Sequence, residues 1–368
     1  MKYYIIAGEA SGDLHGSNLI KALHEQDAGA NVRCWGGDLM ENAGAILVKH
    51  YKELAFMGFA EVVKNIPTIF KNISFCKKDI EAFKPDAIIF IDYSGFNLRI
   101  AKWAKQKGYK TNYYISPQVW ASRSKRVNAI KRDIDHMNVI LPFEKEFYAK
   151  HNYDVNFVGH PLIDAIANRK LVDESNFRQR HKLGNKKIIA LLPGSRKQEI
   201  TKMLSVMLSI VEEFSEYQFV IAGAPNQDFA FYQQFITKEN ICFVANETYD
   251  LLSISFAALV ASGTATLETA LFKVPQVVCY KGSTISYQIA KRIITLKYIS
   301  LVNLIMDKEV VTELIQENFT KETLTKELKT LLKDSERETM FLAYFELEKI
   351  LGGQGASKTA AKNIITAM

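Results

Sequence analysis

The sequence predicts an α/β protein built from two successive parallel-sheet units and a helical tail. Three observations predict it. Short continuous apolar runs alternate with longer stretches of helical spacing, the pattern of parallel strands covered by helices on both faces. The pattern lapses over a polar stretch from Asn168 to Lys182 and then restarts. The length, 368 residues, makes room for about two domains at roughly 150 residues each.

The elements follow in order. Lys2 to Ala7 reads as a buried strand, then comes a small-residue loop, then a helix to about His24. Ala87 to Ile91 follows the turn signal Lys84-Pro85-Asp86, and Thr111 to Ile115 and Asn138 to Leu141 are two further strands. After the turn Gly184-Asn185, Lys187 to Leu192 is a strand, and Pro193-Gly194-Ser195 leads into a helix. Phe219 to Ala222, Ile241 to Val244, Ala258 to Ala261 and Gln276 to Cys279 complete the strands. From about Thr320 the pattern is helical, with a break at Gly352-Gly353. The expected divisions are 1–165, 166–320 and a tail 321–368. The tail packs back on the first domain or exchanges with a second subunit in a homodimer.

Composition narrows the function. Apolar residues are 48% and charged residues 24%, which excludes a disordered chain. A net charge of +7 suits an anionic small substrate or an anionic membrane face. No basic tail or nucleic-acid motif accompanies it, so nucleic acid is not an expected partner. Cys34, Cys76, Cys242 and Cys279 are far apart, which argues against a zinc site or disulfide framework and fits a reducing cytoplasm. Glu9 interrupts the first apolar run, unlike a signal peptide. No run reaches the ~18 apolar residues of a membrane span, so any membrane contact is expected to be peripheral. The seven histidines show no metal-ligand spacing, and neither metal nor cofactor is expected.

Three strand-to-helix loops can hold phosphate. Gly8-Glu9-Ala10-Ser11-Gly12-Asp13 lets the backbone approach a ligand at a helix N-terminus; it also reads as a plain turn capped by Asp13. It lacks both the dinucleotide glycine spacing and the Walker lysine. Leu192 to Arg196 stands in the equivalent place of the second unit, where Arg196 either meets a phosphate or forms a surface ion pair. Ala261-Ser262-Gly263-Thr264-Ala265-Thr266-Leu267-Glu268 is the sharper signal. Its first-turn N–H groups and hydroxyls suit a diphosphate, and Glu268 can accept from ribose hydroxyls; Ser262 as an ordinary cap is the competing reading. Gly352 to Thr359 resembles a Walker loop, but no strand precedes it and Ser357 replaces a required glycine.

Asp92 follows directly on a buried strand, a position that faces the ligand crevice of a parallel sheet and suits a general base. It equally suits a helix cap, and the residues alone favour the cap. Asp133 and Asp135, two apart, do not share a helix face and read as surface partners of Lys131 or Arg132. His15 and His160 lie where a ligand can touch them, with a satisfied structural histidine as the default. Ile66, Ile69, Phe70 and Ile73 recur at helical spacing with Lys64, Lys71, Lys77 and Lys78 around them. That is a core-facing amphipathic helix or an interfacial one with a basic rim.

Taken together, eight segments resemble one family. They are Gly8 to Asp13, Met57 to Val62, Ile91-Asp92 with Phe96-Asn97, Ser116 to Ala121, Pro142-Phe143-Glu144, Val158 to Pro161, Leu192 to Arg196, and Ala261 to Glu268. In this order they are similar to the lipid-A-disaccharide synthases, bacterial glycosyltransferases of the GT-B type. The resemblance implies two Rossmann-like domains facing a central cleft. It implies transfer of 2,3-diacylglucosamine from UDP-2,3-diacylglucosamine to 2,3-diacylglucosamine 1-phosphate, giving the β-1,6-linked disaccharide 1-phosphate and UDP. It further implies inversion without an obligatory metal, at the cytoplasmic face of the inner membrane. On these matches Asp92 is the expected base. Arg196, Ser262, Gly263, Thr264, Ala265, Glu268, Asn303 and Gln316 are expected on the UDP-sugar, and Ser11, Gly12, Asp13, His15 and Asn97 on the acceptor side. Where the family often has Pro and Asp after its first Asp, this chain has Ser94 and Gly95, so no role passes to a second acid there. A UDP-sugar epimerase of the same architecture and a non-catalytic nucleotide-sugar or lipid-binding protein are the alternatives.

Overall fold

A computed structural model describes residues 1–54, 66–122, 126–225, 227–282 and 297–368, with the backbone alone for Ile66 and Ser122. The segment Met57 to Val62 and Lys64 lie outside the described residues. The chain forms two compact units, 1–164 with 351–368, and 165–350.

In the first unit the described residues form seven parallel strands: β1 (Lys2–Ile6), β2 (Asn31–Gly36), β3 (Ile46–His50), β4 (Ala87–Ile91), β5 (Lys110–Tyr114), β6 (His136–Val139) and β7 (Asn156–Phe157). Their order is β3-β2-β1-β4-β5-β6-β7. Alternation along each strand makes two cores. Tyr4, Ile6, Trp35, Ile88, Phe90 and Tyr113 face one way, packed by helices Ile66–Phe83 and Ser94–Gln106. Tyr3, Ile5, Cys34, Ile89, Ile91 and Tyr114 face the other, packed by helices Ala10–Gln26 and Ala356–Thr366. Both faces being covered, β4 is buried at all five positions, which is why it reads as an unbroken apolar run.

The second unit has β8 (Lys187–Leu192), β9 (Tyr217–Gly223), β10 (Ile241–Ala245), β11 (Ala257–Ala261), β12 (Gln276–Tyr280) and β13 (Glu313–Ile315). They are parallel in the order β10-β9-β8-β11-β12-β13. Each sheet therefore grows outward from its first strand and then reverses, between β1 and β4 and between β8 and β11. Such reversals leave a crevice at the strand C-terminal ends where ligands bind.

Three expectations change. The polar stretch 168–182, where the pattern lapses in the sequence, is partly helical. It contains the helix Glu174–Arg180, capped by the Asp173 carboxylate on Asn176 N–H at 3.1 Å, and Phe177 is buried in the core beneath it. The tail 321–368 is split: helices Lys321–Leu331 and Asp334–Ile350 belong to the second unit, and 351–368 to the first. Around the glycine break, His160 N–H donates to Leu351 O at 3.0 Å, and the Asp164 carboxylate accepts from Gly355 and Ser357 N–H at 2.6 and 3.2 Å. The Walker-like string is thus a helix start capped by an acid from elsewhere, with Lys358 paired to Glu25 at 2.9 Å.

The third change concerns the helix Ile66–Phe83. Ile73, Cys76 and Ile80 are buried in the core and Ile69 packs partly against it, whereas Phe70 is 63% and Phe75 47% exposed. The helical period explains the split: residues three, four and seven apart share the inward face. Ile73 is therefore core, and of the four named apolar residues Phe70 is the one exposed among the side chains described. No helix among the described residues is long and apolar enough to cross a membrane.

Candidate functional site

The paired strands β1 and β4 run level, Ile6 opposite Phe90, so the loops that follow them emerge side by side. Asp92 and Tyr93 both take the left-handed conformation, with φ of 41° and 45°. For non-glycine residues this is strained and needs holding in place. The Asn97 amide supplies the hold, donating to Ile6 O, Ile91 O and Asp92 O at 3.3, 3.2 and 2.9 Å. Tyr113 O–H donates to Asp92 O as well. The Tyr93 ring lies over Gly8, where a Cβ would sit 2.3 Å from the ring; that close approach is what the glycine is for.

The Asp92 carboxylate is reached by solvent but surrounded by protein on its other sides. That desolvation, reinforced by the neighbouring Glu9 carboxylate, pushes its pKa up to about 6. It does not cap the following helix; Tyr93 occupies the cap position, and no side chain bonds there. A carboxylate with its pKa raised to about 6 at the C-terminal end of a parallel strand is equipped to take a proton from a hydroxyl. Glu9 was legible as a residue that breaks an apolar run and opens the first small-residue loop. Its place beside Asp92 depends on β1 lying next to β4, which sequence spacing does not give.

Several acceptor-side expectations are corrected. Asn97 is fully buried and spent on three backbone carbonyls. Asp13 is 3% exposed. Its carboxylate accepts from Gly37, Leu39 and Met40 N–H at 2.8, 3.2 and 3.0 Å, capping the helix Asp38–Asn42 rather than facing a ligand. Gly12 is buried with its Cβ position 3.0 Å from Ala7 Cβ, a helix-to-strand packing contact. His15 is buried, its Nδ1 lacks a partner among the described residues, and burial pushes its pKa down to about 4, so the imidazole is neutral. Ser11 is exposed in the first turn of the helix Ala10–Gln26. Asp133 and Asp135 serve separate partners, Arg132 at 2.6 and 2.7 Å and Lys105 with Thr111.

In the second unit the turn after β11 is open. Gly263 has φ 153° and ψ −162°, a region that is essentially glycine-only, and among the described residues nothing lies within 4 Å of its Cβ position. Thr266 N–H donates to Gly263 O at 3.2 Å, but among the described residues no side chain caps the helix Thr264–Leu271, so the N–H groups of Thr264 and Ala265 remain available to an anion. Gly263 and Thr264 are exposed. Ser262 Oγ donates to Ile299 O at 2.9 Å and Thr266 Oγ1 to Gly263 O at 2.8 Å, so these hydroxyls brace the turn and keep only acceptor capacity. Glu268 is half-buried, its pKa raised by burial, and Tyr249 O–H donates to its Oε1 at 2.7 Å.

Arg196 stands after β8, on the other side of the reversal. It is exposed and has no ion-pair partner among the described residues. Gln316, after β13, is 7% exposed with φ 51°, and its Nε2 donor lacks a partner among the described residues. Asn303 is a correction. It is fully buried, donating to Val311 O at 2.8 Å and Glu313 Oε1 at 3.0 Å, and accepting from Val310 and Val311 N–H. Glu313 also accepts from Ile299 and Ser300 N–H, each at 2.9 Å. The pair holds the segment that receives Ser262, and Asn303 is spent within it.

A family described as Lipid-A-disaccharide synthetase matches residues 3–364. A lipid-A-disaccharide synthase of Syntrophus aciditrophicus is 38% identical over 370 residues, covering 98% of this chain and 96% of the relative. One from Trichlorobacter lovleyi is 36% identical over 375 residues, with the same coverage. In fold, the chain is similar to the UDP-GlcNAc 2-epimerase of Neisseria meningitidis, solved with UDP-GlcNAc, at a TM-score of 0.68 and 14% identity, covering 100% of this chain and 99% of that one. A fold shared with an epimerase makes the site's residues, rather than the architecture, the discriminating observation.

Proposed function

This chain belongs to the lipid-A-disaccharide synthetase family; it is an enzyme, a glycosyltransferase of lipid A synthesis with the GT-B fold, and we propose the reaction it performs. The donor is UDP-2,3-diacylglucosamine and the acceptor 2,3-diacylglucosamine 1-phosphate. Asp92 takes the proton from the acceptor hydroxyl as that oxygen attacks the anomeric carbon. The bond to UDP breaks on the opposite side, so the configuration inverts. No metal is required: the first-turn N–H groups of Thr264 and Ala265, with Arg196 and Gln316, offset the charge that develops on the leaving diphosphate. Glu268 accepts from the ribose. The first unit is thus the acceptor side and the second the UDP-sugar side.

The observation that carries this reading is the Asp92 carboxylate, held in a strained turn beside Glu9 with its pKa pushed up to about 6. A non-catalytic binding protein gains nothing from such a group. The test mixes the protein with both substrates in detergent and a metal chelator, followed by mass spectrometry. Disaccharide 1-phosphate and UDP are expected only when both substrates are present. Change of the UDP-sugar without acceptor would instead indicate an epimerase.

Both substrates carry acyl chains, so the enzyme works at a membrane surface, which we place at the cytoplasmic face of the inner membrane. Exposed Phe70 and Phe75 with Lys71 and Lys78 on the same helix support peripheral contact there. Phe70→Ser should lower binding to anionic vesicles while leaving thermal stability nearly unchanged. Undiminished binding would remove this helix from the membrane face.

A further inference from the structure

Glu268 can serve a ribose only if its carboxylate is held and ionised. One oxygen, Oε1, receives the Tyr249 hydroxyl at 2.7 Å, and Oε2 has no partner among the described residues. Tyr249 comes from the short helix Thr248–Ser253 that follows β10, while Glu268 lies in the helix that follows β11. The tyrosine ring is itself fixed. It packs on Phe272 with centroids 5.2 Å apart, Arg169 sits over that same Phe272 ring at 4.8 Å, and Arg169 reaches Asp250, next to Tyr249, at 3.9 Å.

We propose that Tyr249 is a positioning residue for the nucleotide sugar: its hydroxyl occupies Glu268 Oε1 and so commits Oε2 to the ribose hydroxyls. The proposal rests on the reading of Glu268 as the ribose acceptor. A free carboxylate rotates about its terminal torsion and splits its acceptor capacity over several directions. A tyrosine locked by aromatic packing removes that freedom before the ligand arrives. Its donated hydrogen bond also opposes the effect of burial, which otherwise favours the protonated acid. Among the described residues Tyr249 is the titratable group that faces Glu268.

Tyr249→Phe is a clean variant because it keeps the ring packing and deletes only the donor. UDP and 2′,3′-dideoxy-UDP are the probes, with binding measured by calorimetry between pH 6 and 8 on wild type, Tyr249→Phe, Glu268→Gln and the double variant. Tyr249→Phe should weaken UDP about three- to tenfold, more at pH 6 than at pH 8, since its carboxyl protonates more readily. It should leave dideoxy-UDP nearly unchanged. In Glu268→Gln the further loss of the hydroxyl should add nothing. Equal weakening of both probes, or additive losses in the double variant, would make Tyr249 merely structural and overturn the proposal. If Glu268→Gln itself binds UDP like wild type, the ribose reading fails first; if only Tyr249→Phe does, the ribose reading stands and the tyrosine's role falls.

Discussion

The turn after β4 and the turn after β11 occupy the same place in their sheets, each at the reversal of strand order, and they are built for opposite charges. Around the first, the small residues are filled by protein: Tyr93 lies over Gly8, Gly12 meets Ala7, and Asp13 is consumed by the helix Asp38–Asn42. What remains at the crevice is acidic, Asp92 beside Glu9. Around the second, no described residue lies within 4 Å of the Gly263 Cβ position and the helix start is uncapped among the described residues. What remains there is a set of N–H donors. On the proposed reading, a strand-end reversal marks where chemistry happens. The residues that consume or expose the local polar groups decide whether the place holds a proton acceptor or an anion.

The largest expected effect tests the acidic turn. Asp92→Asn removes the proposed base but keeps its shape and its backbone hydrogen bonds. Transfer should fall by about 10²–10⁴-fold, the usual contribution of general-base catalysis, with UDP affinity unchanged by calorimetry. An undiminished rate in folded protein would reduce Asp92 to a turn residue and erase the contrast between the two regions.

A smaller effect is expected at the open turn. Gly263→Ala places a Cβ where there is room but where φ of 153° with ψ of −162° is unfavourable, at a cost of about 1–3 kcal/mol. The turn will relax to relieve it and misalign the first N–H groups. Denaturant unfolding should show the lost stability, and UDP affinity should fall on the order of tenfold, about 1.4 kcal/mol. Full stability together with normal UDP binding would mean that the glycine's backbone freedom serves neither.

Most of this architecture was legible in the sequence, for a physical reason. Strands buried on both faces are apolar runs, and β4 and β8 match their expected bounds, Ala87–Ile91 and Lys187–Leu192. β2, β3, β7 and β13 were not legible. Arg33, Lys49 and His50 interrupt two of them, and the other two span two and three residues. Residues that follow a strand directly, such as Asp92 and Gly263, could be placed from the sequence. Asp13, Asn97 and Asn303 could not be told from ligand contacts. Their partners, Gly37 to Met40, Ile6 and Val310-Val311, are brought to them by tertiary packing. A polar residue at a strand end is either offered to a ligand or used up by the backbone, and only the fold says which.

The smallest expected effect probes what makes the first turn acidic. Asp92 must be ionised to accept a proton, so with its pKa at about 6 the transfer rate should rise with pH, bend near that value and level off above it. Burial is the larger cause of the elevation and the Glu9 carboxylate the next. Glu9→Gln removes the like charge and leaves the burial. The ionised form then becomes easier to reach, and the acid limb of the pH–rate profile moves to lower pH. The movement should be less than the full distance from about 6 to the ordinary 3.8. The informative quantity is the midpoint of that limb rather than the height of the plateau, since the plateau also registers any contact Glu9 makes with substrate. A midpoint that stays put would assign the whole elevation to burial. A midpoint that rises would overturn the reading of Glu9 as a like charge that raises the Asp92 pKa.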